Sequence, residues 1–379
     1  AQNTGAGIKL VAGSAAVVVT LDENEFNGNG GCAVDMEANV ELVLEGDNVA
    51  SDNARNGLCV SGDSRVSRTW KKGSLPYLVT GDVSVVGESR LTIEPGAVVK
   101  FIGQAGISVS DRSSLSAVGT AGDPIIFTSL YDDLNGGDAN PREGPKEPNA
   151  GDWNGLKFES TASQREASQL AHARILYAGR QNQAAVQTSL GNLKLEHLDI
   201  RDGAAVGLRV DNVSPTIADN NIVNQRSFGI EIRTRTEPLQ PILQRNTIRG
   251  CGGAIGIDAN VEPQLSGNVA EDNMLNGIAV KGSMTVSRVW QAGDLPFLLD
   301  SRVLIGRGGT LNIAAGTVVK ALADAALWID FGAIQIPAPG TGDDIVTITS
   351  IRDDTCGAAA GTCDTNNDET QTRPLPGDW

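Results

Sequence analysis

The stretch NNIVNQRSFGIEI, residues 220–232, carries the pattern that decides the fold. It joins an Asn, an aliphatic residue, a Gly-containing corner and an Ile pair separated by one charged residue. The phrase returns as RNTIRGCGGAIGI at 245–257, as GNVAEDNMLNGIAV at 267–280 and, far upstream, as DNVASDNARNGLCV at 47–60. An alternating apolar pair is typical of a strand with one buried and one solvated face. The recurrence predicts many short strands of one kind.

The spacing of the Asn residues predicts how these strands stack. Asn220, Asn246 and Asn268 follow one another at intervals of 26 and 22 residues, and Asn24 holds the same place near the start. Such a period, with two or three strands in each, is typical of a parallel β-solenoid whose turns stack at roughly 4.8 Å. Each Asn can then bond to the Asn of the next turn, which satisfies the buried amides. We therefore expect an all-β solenoid with an internal Asn ladder.

A longer repeat lies over this short period. Trp70, in RTWKKGSLPYL, returns as Trp290, in RVWQAGDLPFL, 220 residues later. A Gly-Asp-Trp triplet closes the first copy at 151–153 and the second copy at 377–379. The repeat predicts three parts of one continuous solenoid: residues 1–69 are coils from the C-terminal part of a unit, 70–289 are one complete unit and 290–379 start the next.

Together these phrases resemble one known group of proteins. Coils of the form N-x-I…G-I-x-I, joined to W-x-x-G-x-L-P-[YF], L-x-I-x-x-G-x-V-V-K and G-D-W, are similar to the right-handed parallel β-helix proteins of the pectate-lyase-like superfamily, specifically its large secreted or surface-exposed bacterial members. The resemblance covers nearly the whole chain. It implies a right-handed β-helix with loop insertions and a location outside the cell. It implies no single activity, because the superfamily includes lyases, hydrolases, adhesins and structural spacers.

Composition and charge narrow the range of partners. The chain has 45 Gly and only 4% aromatic residues, which fits many short strands joined by turns. Its net charge of −16 disfavours nucleic acid, which proteins bind through an excess of Lys and Arg. No run reaches the roughly 18 apolar residues of a membrane span. We expect the partners to be other copies of the chain, head to tail, or further parts of a longer chain, with surface polysaccharide as another candidate.

The five cysteines give two expectations. Cys356 and Cys363 lie seven residues apart in a Gly/Ala loop, where an exposed free pair would be a liability, so we expect a local disulfide and an oxidising compartment. Cys32, Cys59 and Cys251 fall at strand edges and are interpreted as free, buried thiols, with their pairing left open.

Two acidic loops are the strongest candidates for a ligand site. Both lie between a Thr-Ser strand and the Gly-Asp-Trp triplet of the long repeat. Calcium prefers six to eight oxygen ligands, often at alternate positions of a Gly-containing loop. We expect structural calcium in these loops, although an acidic turn that only keeps the protein soluble has the same composition. The candidate ligands are Asp132, Asp133, Asn135, Asp138 and Asn140 in the first loop and Asp353, Asp354, Asp364, Asn366 and Asp368 in the second.

No group of residues predicts catalysis. A lyase needs carboxylates with an Arg or Lys base, and a hydrolase needs clustered aspartates, but charges of alternating sign in a strand are more typical of a solvated face. His172 and His197 could stack and bind a metal, but two ligands favour a structural role. The row of alternating charges is Glu231, Arg233, Arg235 and Glu237. The aspartates that a hydrolase would need clustered are instead spread through turns: Asp199, Asp202, Asp211 and Asp219.

The Trp residues and the repeat favour a structural function. Trp70 and Trp153 are interpreted as corner residues that cap apolar surface, with stacking on sugars as the alternative. We expect an extracellular module of a large repetitive surface protein or filament, which acts as a rigid scaffold or adhesive spacer and not as an enzyme. The alternatives are a carbohydrate-active β-helix enzyme, such as a polysaccharide lyase, and a carbohydrate-binding adhesin.

Overall fold

The fold is built almost entirely from short parallel strands. In the described residues there are 37 strands, two 3₁₀ turns (Pro141–Glu143 and Arg180–Asn182) and no α-helix. No helix in this part of the chain is long and apolar enough to cross a membrane. The computed structural model describes residues 3–13, 17–144, 146–159, 166–234, 238–338, 345–355, 363–368 and 371–378.

The chain divides into two compact units, Ala1–Ala205 and Val206–Trp379. The repeat boundaries at residues 70 and 290 fall inside these units, so the sequence repeat and the compact units are different divisions of the chain.

In the first unit the strands stack in parallel columns, one for each face of the coil. The first column contains β1 (Ile8–Leu10), β4 (Cys32–Glu37) and the first parts of β7 (Arg55–Ser64) and β9 (Tyr77–Val85), and it continues through β11 (Val98–Phe101), β14 (Ile125–Ser129), β17 (Ala173–Leu176) and β20 (Asp199–Arg201). The second contains the last parts of β7 and β9, followed by β12 (Ile107–Val109), β15 (Leu156–Phe158) and β18 (Val186–Thr188). A separate pair is formed by β3 (Glu25–Asn27) and β6 (Val49–Ser51). The third contains the pair β2 (Val17–Asp22) and β5 (Val40–Glu45), and the series β8 (Arg68–Trp70), β10 (Arg90–Ile93), β13 (Ser114–Val118), β16 (Gln169–Ala171) and β19 (Lys194–Glu196).

The second unit has corresponding columns. The first contains β21 (Leu208–Asp211), β24 (Phe228–Arg233), β27 (Gly253–Asp258) and the first parts of β30 (Ile278–Met284) and β32 (Phe297–Ile305), and it continues through β34 (Val318–Ala321) and β37 (Thr347–Ser350). The second contains the last parts of β30 and β32, followed by β35 (Ala326–Ile329). A separate series is formed by β23 (Asn221–Val223), β26 (Thr247–Arg249) and β29 (Val269–Glu271). The third contains β22 (Thr216–Ala218), β25 (Ile242–Gln244) and β28 (Gln264–Ser266), and the series β31 (Arg288–Trp290), β33 (Thr310–Ile313) and β36 (Ala333–Gln335).

The core of each unit is a set of apolar rows that run from coil to coil. In the second unit Leu208, Ile230, Ile255 and Ile278 stand in register, and all four are fully buried. Burial of one such side chain contributes about 1.5–3 kcal/mol. The alternating pattern of the sequence therefore fixes which face of each strand points inward, because a slip of one residue would turn the whole row outward.

The long repeat is visible in the strand pairing of both units. In the first unit β7 pairs with β9 through Leu58 and Tyr77, and the register shifts before Gly62. In the second unit β30 pairs with β32 through Ile278 and Phe297, with the same shift before Gly282. Both glycines have φ near +90°, a conformation that costs Gly little. Each copy of the repeat thus turns from one face to the next with the same bulge.

Candidate functional site

The structure places the predicted Asn residues in hydrogen-bonded stacks. Asn220 Nδ2 donates to Asn246 Oδ1 at 2.9 Å, and Asn246 Nδ2 donates to Asn268 Oδ1 at 2.9 Å. In the first unit Asn24 Nδ2 donates to Asn48 Oδ1 at 3.2 Å. The same acceptor oxygens also receive backbone N–H groups of the neighbouring coil. These amides therefore bond to one another and to the main chain.

A second Asn stack was not predicted from the sequence. In the first unit Asn29 Nδ2 donates to Asn53 Oδ1 at 2.7 Å, and Asn53 Nδ2 donates to Asn56 Oδ1 at 3.0 Å. In the second unit Asn273 Nδ2 donates to Asn276 Oδ1 at 2.9 Å. The signal was available, because the phrase D-N-x-x-N-G occurs in both copies of the repeat.

The cysteines correct one expectation. Cys32 and Cys59 form a disulfide with a Cα–Cα distance of 6.1 Å, so their interpretation as free thiols is wrong. They lie on neighbouring strands β4 and β7, which brings residues 27 apart in sequence side by side. Cys251 is free and buried, and burial raises the pKa of its thiol to about 11. Cys356 lies outside the described residues, so its link to Cys363 stays a prediction.

The first acidic loop is organised around a buried lysine. Lys100 is fully buried, and its Nζ donates to the carbonyl oxygens of Asp132, at 2.9 Å, and Gly137. The carboxylate of Asp132 accepts hydrogen bonds from Thr128 Oγ1 at 2.6 Å and from Asn135 Nδ2 at 2.7 Å. The ammonium group thus occupies the position where the main-chain carbonyls of the loop converge.

The other two carboxylates of the first loop, Asp133 and Asp138, belong to no three-carboxylate group in the described part of the chain. Asp133 and Asp138 are both exposed, and Asp138 Oδ1 accepts the backbone N–H of Asn140 at 2.9 Å. Partial burial and then the charge of Asp138 raise the pKa of Asp133. The loop also covers apolar surface, because its Ala139 packs in a buried cluster with neighbours that include Leu78. These contacts favour a structural role for the first loop.

The second acidic loop is also organised around a buried lysine. Lys320 is fully buried, and its Nζ donates to Thr365 Oγ1 at 3.0 Å and to the carbonyl oxygen of Cys363. Asp353 Oδ2 accepts a hydrogen bond from Thr349 Oγ1 at 2.8 Å. Burial lowers the pKa of Lys320 to about 8, although the nearby carboxylates oppose that shift. Neither buried lysine was predicted as part of these loops.

The second loop differs by bringing three carboxylates together. One oxygen from each of Asp354, Asp364 and Asp368 lies within 4.8 Å of the others, and this is the one such acidic group among the described residues. Partial burial, and then the charges of the other two, raise the pKa of Asp354. Both carboxylate oxygens of Asp354 and the Oδ1 atom of Asn366 are buried and have no hydrogen-bond donor in the described part of the chain.

The repulsion between the three carboxylates of Asp354, Asp364 and Asp368 can be relieved in two ways. Asp354 and Asp368 can share a proton, or a hard cation can bind between the carboxylates. Because Asp364 and Asn366 lie at alternate positions with Asp368, as in many calcium loops, the donor set fits calcium. Of the ten predicted ligands, the structure therefore gathers Asp354, Asp364 and Asp368, with Asn366 beside them.

The row of alternating charges, interpreted from sequence as a solvated face, is part of an ion-pair network at Glu231 and Arg233. Glu231, whose side chain is only 9% exposed, accepts Arg209 Nε at 2.9 Å and Lys281 Nζ at 3.0 Å. Burial opposes ionisation of Glu231, but the hydrogen bonds from Lys281 and Arg209 outweigh it and hold its pKa below the usual range. Arg233 pairs with Asp211 at 3.0 Å. The predicted neighbours Arg235 and Glu237 lie outside the described residues.

Two of the four aspartates that were interpreted as turn residues lie in strands, because Asp199 begins β20 and Asp211 ends β21. Asp199 pairs with Arg201 at 2.6 Å within the first unit, and Asp219 pairs with Arg245 at 2.6 Å within the second. Asp202 lies in a turn with φ of +54°. The structure therefore uses Asp199 and Asp219 in ion pairs within single coils or between adjacent ones.

The two histidines stack. The rings of His172 and His197 lie 4.4 Å apart and within 10° of parallel, and both residues occupy left-handed corners. Parallel rings direct their nitrogen lone pairs side by side and not toward one point, so the geometry suits packing better than chelation of a single ion.

Trp70 and Trp153 lie inside the coils. Trp153 is fully buried, stacks on Phe101 at 3.9 Å and donates from Nε1 to the carbonyl oxygen of Leu176 at 2.8 Å. Trp70 is also buried and stacks on Tyr77 at 4.9 Å. These indoles therefore have no exposed face on which a sugar could stack, and that alternative is wrong for them.

One comparison with known proteins agrees with this geometry. Residues 161–289 match the family model of the right-handed β-helix region. The chain contains a right-handed β-helix. The expected all-β, right-handed parallel β-helix is thus confirmed, and the matched segment includes the ladder residues Asn220, Asn246 and Asn268. No curated protein and no solved structure matched the chain significantly.

Proposed function

We propose that this β-helix is a rigid structural module of an extracellular, repetitive surface protein or filament. The observation that carries the proposal is that the charges on the outer face of the strands are held in ion pairs. Glu231 is the most buried carboxylate of its row of alternating charges, and both its oxygens bond to basic side chains of neighbouring strands. A catalytic carboxylate needs an oxygen that can reach a substrate.

Two further features support a scaffold outside the cell. The Asn stacks and the apolar rows tie each coil to the next, which suits a module that resists bending. The Cys32–Cys59 disulfide links neighbouring coils and supports an oxidising compartment, since disulfides persist in secreted and surface proteins.

Structural calcium in the second acidic loop is a separate part of the proposal. Asp354, Asp364 and Asp368 would supply the carboxylate ligands, and Asn366 would supply an amide oxygen. The cation would neutralise the repulsion that raises the pKa of Asp354. The first loop is proposed to work without calcium, because its carbonyls already converge on Lys100.

The experiment that tests the scaffold proposal is a search for turnover combined with localisation. The purified protein is incubated with neutral and acidic polysaccharides, and new reducing ends and unsaturated products are measured. An antibody against the protein is then applied to intact source cells. The proposal expects no product and labelling of the cell surface. Product formation would replace the scaffold with a carbohydrate-active enzyme, and binding without cleavage would favour the adhesin.

A further inference from the structure

Each acidic loop meets a corner of its own coil through the same hydrogen bonds. In the first copy of the repeat the backbone N–H of Asn56 donates to the carbonyl oxygen of Ala139 at 3.0 Å, and in the second copy that of Asn276 donates to the carbonyl oxygen of Thr365 at 2.9 Å. Each Asn side chain also donates, at 3.4 Å, to the carbonyl oxygen of the residue just before its partner. These shared bonds align the two loops residue by residue.

In the first copy an arginine bridges the gap between loop and corner. Arg142 lies three residues after Ala139, and its Nη2 donates to the carbonyl oxygen of Asp52 at the corner. Arg55, also at this corner, forms an ion pair with Glu143 of the loop. The first loop is thus fastened to its own coil by two guanidinium groups, one from each side of the contact.

The second copy has neither arginine. Counted from the shared bonds, Asp368 stands where the first loop has Arg142, and Leu275 stands where the corner has Arg55. The carbonyl oxygen of Asp272, which corresponds to the acceptor of Arg142, accepts no hydrogen bond in the described part of the chain. The Asp272 side chain is exposed. The acceptors of the corner are therefore kept, but the cation that covers them in the first copy is absent.

A groove of about 520 Å³ lies at this place in the second copy. That volume falls within the ~300–1,000 Å³ typical of ligand sites. Asp272 lines the groove, as do Gly250 and Gly252, which contribute no side chains to fill it. Met274 also lines it and is 74% exposed, so its flexible thioether is available for packing.

The charges around the groove favour a cationic group at the Asp272 side. Asp368 follows the lining residues Asn366 and Asn367 directly, so the loop side is acidic as well. Among the lining residues only Arg226 is basic. It stands two coils before Asp272, which is roughly 10 Å along the stack at ~4.8 Å per coil.

We propose that this groove binds an arginine side chain supplied by a partner protein, as Arg142 is supplied by the first loop to its own corner. The guanidinium group donates to the carbonyl oxygen and the carboxylate of Asp272, because its planar fork of N–H groups suits paired oxygen acceptors. The arginine methylenes pack against Met274. The partner therefore presents an exposed, arginine-containing segment. This inference goes beyond the proposed scaffold function and does not depend on it.

The methionines provide a direct reporter of binding. The chain has three, of which Met274 is exposed in the groove, whereas Met36 and Met284 are buried. Protein with isotope-labelled methionine methyl groups is titrated with a blocked Gly-Arg-Gly tripeptide, with a chelator present so that calcium does not compete. The NMR signal of Met274 alone should shift and saturate. The same tripeptide with citrulline, an uncharged isostere of arginine, should bind ~5-fold more weakly or less.

Matched variants place the tripeptide in the groove. Asp272→Asn should weaken binding ~5-fold, because it removes an exposed charge pair. Asp52→Asn, the equivalent change in the first copy, should have no effect, since Arg142 already covers that corner. Asp354→Asn changes the three-carboxylate group of the second loop and should leave binding intact. Circular dichroism checks that every variant keeps its strands.

The first copy allows the converse test. Ala54→Met places a reporter at the position equivalent to Met274, and its signal should not respond to the tripeptide. Adding Arg142→Ala to that variant removes the guanidinium group of the loop and should make the new signal respond, because the carbonyl oxygen of Asp52 loses its donor.

Three outcomes would overturn the proposal. The first is a Met274 signal that does not shift, or that shifts equally with the citrulline tripeptide. The second is binding that Asp354→Asn weakens and Asp272→Asn does not, which would place the tripeptide at the three-carboxylate group. The third is a folded Ala54→Met/Arg142→Ala protein whose new signal does not respond. None of these touches the scaffold proposal, which fails separately if the protein cleaves polysaccharide.

Discussion

Lys100 and Lys320 occupy equivalent positions 220 residues apart, and each buries its ammonium group beneath an acidic loop. Lys100 donates to the carbonyl oxygen of Asp132 at 2.9 Å, and Lys320 donates to Thr365 Oγ1 at 3.0 Å. A buried ammonium group is tolerated only where acceptors surround it. Each loop is therefore folded around an internal cation supplied by the strand beneath it.

The pH dependence of stability should report the burial of Lys320. Its pKa falls from 10.5 to about 8 on folding, so between these values the folded protein binds fewer protons than the unfolded chain. Stability from this group should rise with pH over that window, by at most ~1.4 kcal/mol per pH unit. Urea unfolding at pH 7.5 and pH 10 (~2.5 units apart) measures it, with Lys320→Met as the reference that lacks the rise. An equal rise in both proteins would contradict the assignment.

The Asn ladder should contribute strongly to stability at its centre. Asn246 is fully buried and bonds to Asn220 on one side and Asn268 on the other. Asn246→Ala should cost about 2–4 kcal/mol, because it leaves buried donors and acceptors without partners. The matched variant Asn24→Ala, at a half-buried position, should cost less. Chemical denaturation of both variants gives the comparison, and equal small losses would mean that the ladder is incidental.

The ladder shows how far sequence could predict this fold. Asn220, Asn246 and Asn268 occur at one fixed place in a phrase whose apolar pair defines the strand, so their stacking followed from spacing alone. Asn29 and Asn53 stack as well, yet Asn29 sits in the Gly-rich run NGNGG, where no alternating pair marks its place. The sequence period predicts which strand positions stack on one another. It does not predict which corner residues stack, because their alignment depends on the three-dimensional path of each coil.

Calcium should stabilise the protein through the second loop alone. Adding calcium to chelator-stripped protein should raise the melting temperature, because the ion binds the folded state preferentially. Asp354→Asn should abolish the rise, since it removes a charge from the carboxylate group. Asp133→Asn, the equivalent change in the first loop, should leave it intact. A rise that Asp133→Asn removes, or no rise in the wild type, would contradict the assignment.

The Cys32–Cys59 disulfide should stabilise the first unit. It closes a loop of 27 residues, and replacement of both cysteines by Ser should cost about 2–4 kcal/mol. Peptide mapping of the non-reduced protein should recover the linked pair, and Cys251 should react with thiol reagents only after unfolding, because it is buried with a raised pKa. Recovery of Cys32 and Cys59 as free thiols would contradict the structure.

The candidate site could be predicted only in part, for a physical reason. The acidic residues of the two loops look equivalent in sequence, but whether carboxylates converge depends on the fold of each loop. The first loop exposes Asp133 and Asp138, whereas the second brings Asp354 and Asp364 together with Asp368. The lysines lie in the repeated phrase that ends V-V-K, and nothing in that phrase indicates that the lysine is buried.

The most direct test of the proposed scaffold function is to replace Glu231. Glu231→Gln should lower the free energy of unfolding by about 2–4 kcal/mol, because Arg209 and Lys281 lose the carboxylate they share. Glu271→Gln, which breaks the exposed pair with Arg249, should change it little. Unfolding and polysaccharide turnover are measured on the same three proteins. The account predicts a large stability loss for Glu231→Gln alone and no turnover in any protein. A Glu231→Gln protein as stable as the wild type that loses a wild-type activity would contradict it.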